Sequence, residues 1–242
     1  MKKLRKFDTK VQHLKYKILR EVAKEAWNGT LERNMLEIPK RILPDDSIVS
    51  RCCIYKERAI LTEKLKIAIG GDMNNPNVIE VIDIACDECP LSGYEITEAC
   101  RGCFAHRCED VCKVGAITYD EHSKGHIDKS KCINCGACAK VCPYSAIINR
   151  TRPCENACKI HAIHPKGKNG AAHIDNEKCT SCGACVYQCP FGAITDKSFI
   201  LDVIDIIKNS ENNTKYNVYA VVAPSIAGQF NYAKHGQVTS AI

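Results

Sequence analysis

Cysteine dominates the chemistry that this sequence can perform. The chain of 242 residues holds 18 cysteines, and sixteen of them lie between Cys86 and Cys189. Eight form two copies of one run, each followed by proline: Cys132, Cys135, Cys138, Cys142 and Cys179, Cys182, Cys185, Cys189. This C-x2-C-x2-C-x3-C-P spacing is typical of bacterial [4Fe-4S] sites. Three closely spaced thiolates bind three corners of a cubane and the fourth binds a neighbouring cluster, so the pattern predicts electron transfer.

Two other uses of clustered cysteines fit the sequence less well. Disulfide frameworks belong to oxidising compartments. The first seven residues form no apolar signal segment and no long apolar run follows, which predicts a cytoplasmic protein without a membrane span. Zinc sites use C-x2-C pairs separated by about a dozen residues or more, whereas each run here crowds three cysteines into seven residues. The predicted cofactors are therefore [4Fe-4S] clusters, at least two and up to four.

A tandem repeat surrounds the two full runs. A half-motif, C-x3-C, precedes each run: Cys108 with Cys112, and Cys154 with Cys158. The half-motifs lie 46 residues apart, so each repeat joins a half-motif to a full run, which is the outline of a two-cluster ferredoxin. An Ala-Ile pair follows every fourth-position cysteine: Ala116-Ile117, Ala146-Ile147, Ala162-Ile163 and Ala193-Ile194. These pairs predict short strands that shield the clusters from water.

Two assignments of the ligands remain open. In the tandem assignment, the fourth cysteine of each motif crosses to the neighbouring cluster. Its four ligand sets are Cys100, Cys103, Cys108 and Cys142; Cys112, Cys132, Cys135 and Cys138; Cys158, Cys179, Cys182 and Cys185; and Cys86, Cys89, Cys154 and Cys189. The rival assignment joins the two full runs directly, with Cys189 completing the first triplet and Cys142 the second. The half-motifs then bind other clusters, zinc or nothing.

Hydrophobic patterns predict an α+β fold. Apolar residues recur at three- and four-residue steps over residues 9–27 and 55–68, which predicts two amphipathic helices. Ser198 is expected to cap a helix that runs through Ile207. The run Tyr216–Val222 predicts a strand, and a further helix is expected between Pro224 and Ile242. The predicted regions are a helical N-terminal region over 1–85, tandem ferredoxin-like modules over 86–197, and a linker helix with an incomplete β-α unit over 198–242.

Three residues outside the main motifs require separate interpretation. Cys52 and Cys53 are adjacent and distant from the other cysteines, so they are expected to be small buried hydrophobic residues rather than ligands. His106 lies between Cys103 and Cys108. It is interpreted as a hydrogen-bonding histidine, because cysteine is the usual ligand of [4Fe-4S] clusters, with a ligand or a proton-coupled neighbour as the alternative.

The formal net charge is +6, and the excess of Lys and Arg lies in the first 70 residues. A basic end of this kind is either a solvated helix face or a docking surface for an acidic redox partner such as a ferredoxin. Lys2, Lys3, Arg5 and Lys6 are the candidates for docking. No zinc-finger spacing and no aromatic-interleaved basic motif indicates nucleic-acid binding, which is therefore not predicted.

The chain resembles a monomeric [FeFe] hydrogenase of the group B type. The resemblance rests on the segment Cys100–Cys108, on Cys179–Ala193 followed by Asp196-Lys197-Ser198, and on Ala220–Phe230. It implies that this chain is the accessory iron-sulfur region of an anaerobic oxidoreductase and carries electrons to a catalytic hydrogenase domain or subunit. The motifs that bind the catalytic H-cluster in that family are absent from these residues, so we expect the chain alone to be inactive with hydrogen. The alternative is a free-standing polyferredoxin, or an electron-transfer subunit of another oxidoreductase complex.

Overall fold

A computed structural model describes residues 7–45, 52–87, 89–90, 92–166 and 170–223. Helix and strand are mixed, and the chain divides into two compact units, residues 1–85 with 179–242 and residues 86–178. The helices are α1 (Lys10–Trp27), α2 (Leu31–Asn34), α3 (Ile38–Ile42), α4 (Ile54–Ala68), α5 (Arg107–Asp110), α6 (Ala137–Val141), α7 (Pro153–Ala157), α8 (Ala184–Gln188) and α9 (Ile200–Asn209), with 3-10 turns at Met35–Glu37 and Asp83–Ala85. The second full cysteine run belongs to the first unit.

Four two-stranded antiparallel sheets complete the fold. Their strands are β1 (Ile79–Val81), β2 (Gly93–Ile96), β3 (Ile117–Tyr119), β4 (Gly125–Ile127), β5 (Ile147–Arg150), β6 (Ile163–Lys166), β7 (Ala171–Ile174) and β8 (Ile194–Asp196). Strands β3 and β4 form a hairpin, as do β6 and β7, whereas β2 pairs with β5 and β1 pairs with β8. Every Ala-Ile pair is buried and the isoleucine opens a strand, which confirms the short strands predicted at these positions.

The helices of the first unit pack around one apolar core. Thr9 caps α1 by accepting a hydrogen bond from the backbone N–H of Gln12, at 3.1 Å. The apolar stripe of α1 meets α3 and α4 in a buried cluster of Ile18, Val22, Ile38, Leu61, Leu65 and Ala68. Helices α1 and α4 match the two helices predicted from hydrophobic periodicity. Both helices also contact the residues that follow the second cysteine run.

A buried carboxylate links α1 to the following turn. Glu25 is 4% exposed and accepts hydrogen bonds from the Thr30 hydroxyl at 2.5 Å and the Asn34 amide at 2.8 Å. Arg41 forms an ion pair with the same carboxylate at 2.7 Å. These hydrogen bonds, from Thr30 first, and the charge of Arg41 lower the pKa of Glu25 to about 2. Burial alone would raise that pKa, so the donors outweigh desolvation.

Contacts from the helices position the second cysteine run within the first unit. Lys15 of α1 forms an ion pair with Asp196, and Lys64 of α4 donates to the backbone carbonyl of Gly192. The ammonium of Lys197 is largely buried and donates to the carbonyls of Asp72 and Asn75, at 2.6 and 2.7 Å. The residues that follow Cys189 are therefore tied to α1, to α4 and to the loop before β1.

Several predictions need correction. Cys52 and Cys53 are exposed, not buried, because they precede the first turn of α4 instead of lying on its apolar face. No strand forms in residues 216–222, since within the described chain this run has no neighbour with which to form a β-ladder. Helix α9 begins at Ile200, one residue later than expected, although the Ser198 hydroxyl does accept from the Ile200 N–H at 3.2 Å.

The helix expected after Pro224 and the basic residues Lys2, Lys3, Arg5 and Lys6 lie outside the described residues. Among the helices that can be described, none is long and apolar enough to cross a membrane. The division into regions 1–85, 86–197 and 198–242 stays a prediction.

Candidate iron-sulfur sites

Each fourth-position cysteine is followed by the same local turn. Three residues after it, the backbone adopts the left-handed conformation, at Gly115, Ser145, His161 and Gly192. In three of these turns the next residue, an alanine, donates its N–H to the cysteine sulfur: Ala116 to Cys112 at 3.3 Å, Ala162 to Cys158 at 3.2 Å and Ala193 to Cys189 at 3.2 Å. Such N–H···S bonds stabilise a thiolate that binds iron. The recurring Ala-Ile pair therefore has a structural role beyond packing.

The alanine carbonyls connect these turns to the sheets. Each accepts a backbone hydrogen bond of 2.7 or 2.8 Å from its paired segment; the donors are Asp128 for Ala116, Thr97 for Ala146, Asp175 for Ala162 and Ile82 for Ala193. In the three turns with an N–H···S bond, the N–H of alanine is thus directed to sulfur while its C=O joins the β-ladder. A rigid turn of this kind holds the ligand in place with little motion.

A cavity in the second unit, here called the first cavity, is lined by four cysteines. They are Cys100, Cys103, Cys108 and Cys142, and the remaining lining consists of Ile96, Arg101, Arg107, Tyr119, Val141, Pro143, Tyr144, Ala146 and Ile147. Strand pairing explains the grouping, because β2 runs antiparallel to β5 and brings the segment before Cys100 beside the segment after Cys142.

The second cavity has the same composition of ligands. It is lined by Cys112, Cys132, Cys135 and Cys138, together with Tyr94, Val114, Ala116, Ile117, Ile127, Ile133, Gly136 and Ala137. The loop between Cys132 and Cys138 is shaped by left-handed residues at Asn134 and Gly136. A side chain at Gly136 would collide with the ring of Tyr94, so glycine is required there. The structure thus brings together the cysteines of the first two ligand sets in the tandem assignment.

A third group of cysteines is organised by a buried arginine. Arg152 is 3% exposed and donates to the carbonyls of Pro90 at 3.0 Å, Cys89 at 3.5 Å and Gly170. It thereby ties the loop of Cys86 and Cys89 to the start of α7, which carries Cys154. Cys86 and Cys154 are both buried. Cys86 accepts an N–H from Ala172 at 3.3 Å, which is the type of contact seen at the other candidate ligands.

The second full run repeats the loop of the first. Left-handed residues Ser181 and Gly183 occupy the places of Asn134 and Gly136. The Ser181 N–H lies 3.5 Å from the Cys179 sulfur, as the Asn134 N–H does from Cys132. Cys185 and Cys189 are buried. The loop that surrounds Cys179, Cys182 and Cys185 is therefore shaped like the loop that lines the second cavity.

Burial changes the acidity of two candidate ligands. It raises the pKa of Cys185 to about 11, and it raises the pKa of Cys138 as well. Both thiols are therefore protonated at neutral pH in the metal-free chain. Because iron binds the thiolate, loading the sites must release these protons, so assembly is favoured at higher pH.

Across the described residues, no three His, Cys, Asp or Glu side chains approach closely enough to hold one metal ion.

Two side chains at these sites were not identified from the sequence. The Tyr119 hydroxyl lies 3.4 Å from the Cys108 sulfur, and its ring stacks on His106 with centroids 3.9 Å apart. Burial and the Cys108 sulfur raise the pKa of Tyr119, so the hydroxyl stays protonated and is able to donate. His106 hydrogen-bonds to Glu109 at 3.0 Å, as expected of a hydrogen-bonding histidine. Tyr119 and Arg152 lie outside any cysteine motif, so spacing alone offered no signal for them.

The sequence comparisons match the cysteine region. The family described as a 4Fe-4S dicluster domain matches residues 99–146, and the 4Fe-4S binding domain family matches residues 172–195. The chain is 46% identical over 54 residues to "Ferredoxin 7Fe" of Hydrogenibacillus schlegelii, a match that covers 22% of this chain and 68% of that protein. The chain belongs to the ferredoxin family. The dicluster match includes all eight cysteines of the two cavities, and the second match includes the whole second run.

Two longer relatives are matched over a smaller part of their length. This ferredoxin-family chain is 40% identical over 58 residues to an uncharacterized ferredoxin of Methanocaldococcus jannaschii, covering 23% of the chain and 33% of the relative. It is 39% identical over 67 residues to the electron transport protein HydN of Escherichia coli, covering 26% and 37%. The chain is thus an iron-sulfur electron-transfer protein with at least two [4Fe-4S] clusters.

Proposed function

We propose that this chain relays electrons through four [4Fe-4S] clusters, held by the sixteen cysteines of residues 86–189. The observation that carries the proposal is that two separate cavities of the second unit are each lined by four cysteines. Cys86, Cys89 and Cys154 supply three ligands of another site, and Cys179, Cys182 and Cys185 supply three of the last. The sequence repeat, through the tandem assignment, proposes Cys189 and Cys158 as the fourth ligands of these two sites.

The residues around the candidate ligands support electron transfer through such a relay. When bound, a [4Fe-4S] cluster accepts and donates single electrons at a potential set by its surroundings. The Ala-Ile pairs exclude water from the ligands, and the alanine N–H groups stabilise the sulfur when charge is added. The turns that carry these donors are bonded into sheets, so few groups have to move when an electron arrives.

The experiment that tests the relay is anaerobic reconstitution of the whole chain with iron and sulfide. We expect about sixteen irons per chain, as four clusters require, against about eight if only two clusters form. Reduced samples should show paramagnetic signals of interacting [4Fe-4S] clusters. Stoichiometric zinc with no visible absorption would contradict the proposal.

We further propose that the relay serves an [FeFe] hydrogenase catalytic domain or subunit. Besides the motif resemblance, the surface of α9 supports a protein partner: Ile204 is buried, whereas Val203, Ile206 and Ile207 are between 41% and 51% exposed. A free-standing polyferredoxin is the second candidate, and it is favoured by the ferredoxins among the relatives.

Hydrogen turnover separates these candidates. The reconstituted chain alone should neither evolve nor take up hydrogen. Mixed or fused with an [FeFe] hydrogenase domain that lacks its own accessory clusters, it should transfer electrons faster than an unrelated two-cluster ferredoxin does. Replacing Val203 and Ile206 of α9 with serine should abolish that advantage, and equal rates for both carriers would favour the polyferredoxin.

A further inference from the structure

The rims of the two cavities differ sharply, although their ligands match. Arg101 and Arg107 are the only charged side chains among the described residues that line the first cavity. No charged side chain in the described chain lines the second cavity. Both guanidiniums are exposed, and within the described residues neither has a hydrogen-bond or ion-pair partner. The positive rim is therefore specific to one of two otherwise similar sites.

Two exposed aromatic side chains accompany these cations. The side chain of Phe104 is fully exposed, so its ring is entirely in water. It lies in the loop between Cys103 and Cys108, two ligands of the same cavity. Tyr144, which follows the Cys142-Pro143 pair and lines the cavity, is 53% exposed. Aromatic residues and arginine are enriched at protein interfaces, and an exposed phenylalanine has no role in the core.

We propose that Arg101, Phe104, Arg107 and Tyr144 form the docking surface through which an acidic one-electron carrier protein of the ferredoxin type exchanges electrons with this chain. The proposal rests on the electron-relay function and names the cluster site nearest the partner. In the exchange, the reduced carrier loses one electron and the cluster of the first cavity gains it, and no covalent bond is made or broken. Electron transfer in the opposite direction, from this chain to the carrier, uses the same surface.

The charge pattern accounts for both encounter and release. Unpaired arginines attract an anionic carrier and raise its association rate, whereas a small contact area lets the complex separate after transfer. The aromatic rings supply the short-range contact near the ligands. Among the described residues, the lining of the second cavity contains no arginine, so we place the exchange at the first cavity.

The test measures reduction of the reconstituted chain by a reduced acidic [2Fe-2S] ferredoxin in anaerobic stopped-flow. For the unaltered chain, the second-order rate should fall steeply from about 10 mM to about 1 M salt, because the Debye length shrinks from about 30 Å to about 3 Å. The double variant Arg101→Glu/Arg107→Glu should be slower by about tenfold or more at low salt and should approach the unaltered chain at high salt. Phe104→Ala should slow the reaction at every salt concentration.

The matched control reverses two other exposed, unpaired cations, Lys113 and Lys159, which follow half-motif cysteines. Lys113→Glu/Lys159→Glu has the same net charge as the arginine double variant and should behave like the unaltered chain. Equal slowing in both double variants would mean that net charge alone matters and would overturn the docking surface. The docking surface would also be overturned if the arginine double variant reacted at the unaltered rate and differed only in the equilibrium potential of its cluster.

Cluster content separates this proposal from the relay itself. All variants should retain full iron and sulfide and should be reduced completely by dithionite. If the unaltered chain binds no clusters, the relay fails. If clusters form and dithionite reduces them, yet the carrier reacts equally with every variant, only the docking surface fails.

Discussion

Replacing Tyr119 with phenylalanine should lower the reduction potential of the cluster in the first cavity. The Tyr119 hydroxyl lies 3.4 Å from the Cys108 sulfur, whereas its ring stacks on His106 at 3.9 Å with an interplanar angle of 13°. The substitution removes the hydroxyl and keeps the ring. A donor to a ligand sulfur stabilises the reduced cluster more than the oxidised one, because the reduced cluster carries one more negative charge.

The size of the effect follows from the hydrogen bond that is lost. A net hydrogen bond contributes about 0.5–1.5 kcal/mol, and one to a charged group is about twice as strong. If the reduced state gains about 1 kcal/mol more than the oxidised state, the potential shifts by about 40 mV, since 1.4 kcal/mol corresponds to about 59 mV for one electron. Tyr119→Phe should therefore make this cluster about 40 mV more difficult to reduce.

A redox titration followed by paramagnetic resonance measures the shift. Tyr144→Phe is the matched control: Tyr144 lines the same cavity, and within the described chain its hydroxyl makes no hydrogen bond. One set of signals should move in Tyr119→Phe and none in Tyr144→Phe. Equal shifts in both variants, or none in either, would refute the role assigned to the Tyr119 hydroxyl.

Three further outcomes are expected. Cys103→Ser and Cys142→Ser should each remove about four irons and erase the same paramagnetic signal, whereas loss of two different signals would favour the rival assignment. Leu65→Ala should lower the free energy of unfolding of the helical unit by about 2–5 kcal/mol, as measured by denaturant titration, while exposed Leu36→Ala changes it by less than about 0.5 kcal/mol. Glu25→Gln should destabilise the helices equally at pH 6 and pH 8, because the native pKa is about 2. The Glu25 contribution is complete above the ordinary pKa of 4.5 and is lost as the pH falls towards 2, so thermal unfolding of the two proteins should converge only in acid.

Much of the local architecture could be predicted from residue spacing. The C-x2-C-x2-C-x3-C runs, the half-motifs and the Ala-Ile pairs are short-range patterns, and a turn of a few residues responds mainly to its own sequence. The same holds for α1 and α4, whose apolar periodicity determines which face packs. The strand predicted at Tyr216–Val222 did not form, because a strand depends on a neighbour that its own sequence does not specify.

The sequence by itself determined which atoms are available to bind iron and how each cysteine turn is shaped. The sequence left two assignments open for Cys142, and only the tertiary structure placed it in one cavity with Cys100 and Cys103, since this grouping depends on the pairing of β2 with β5. It also decided that the first cavity has a positive rim and that Tyr119 reaches the Cys108 sulfur. Contacts between residues distant in sequence arise only when the chain closes on itself, and no spacing within a motif encodes them.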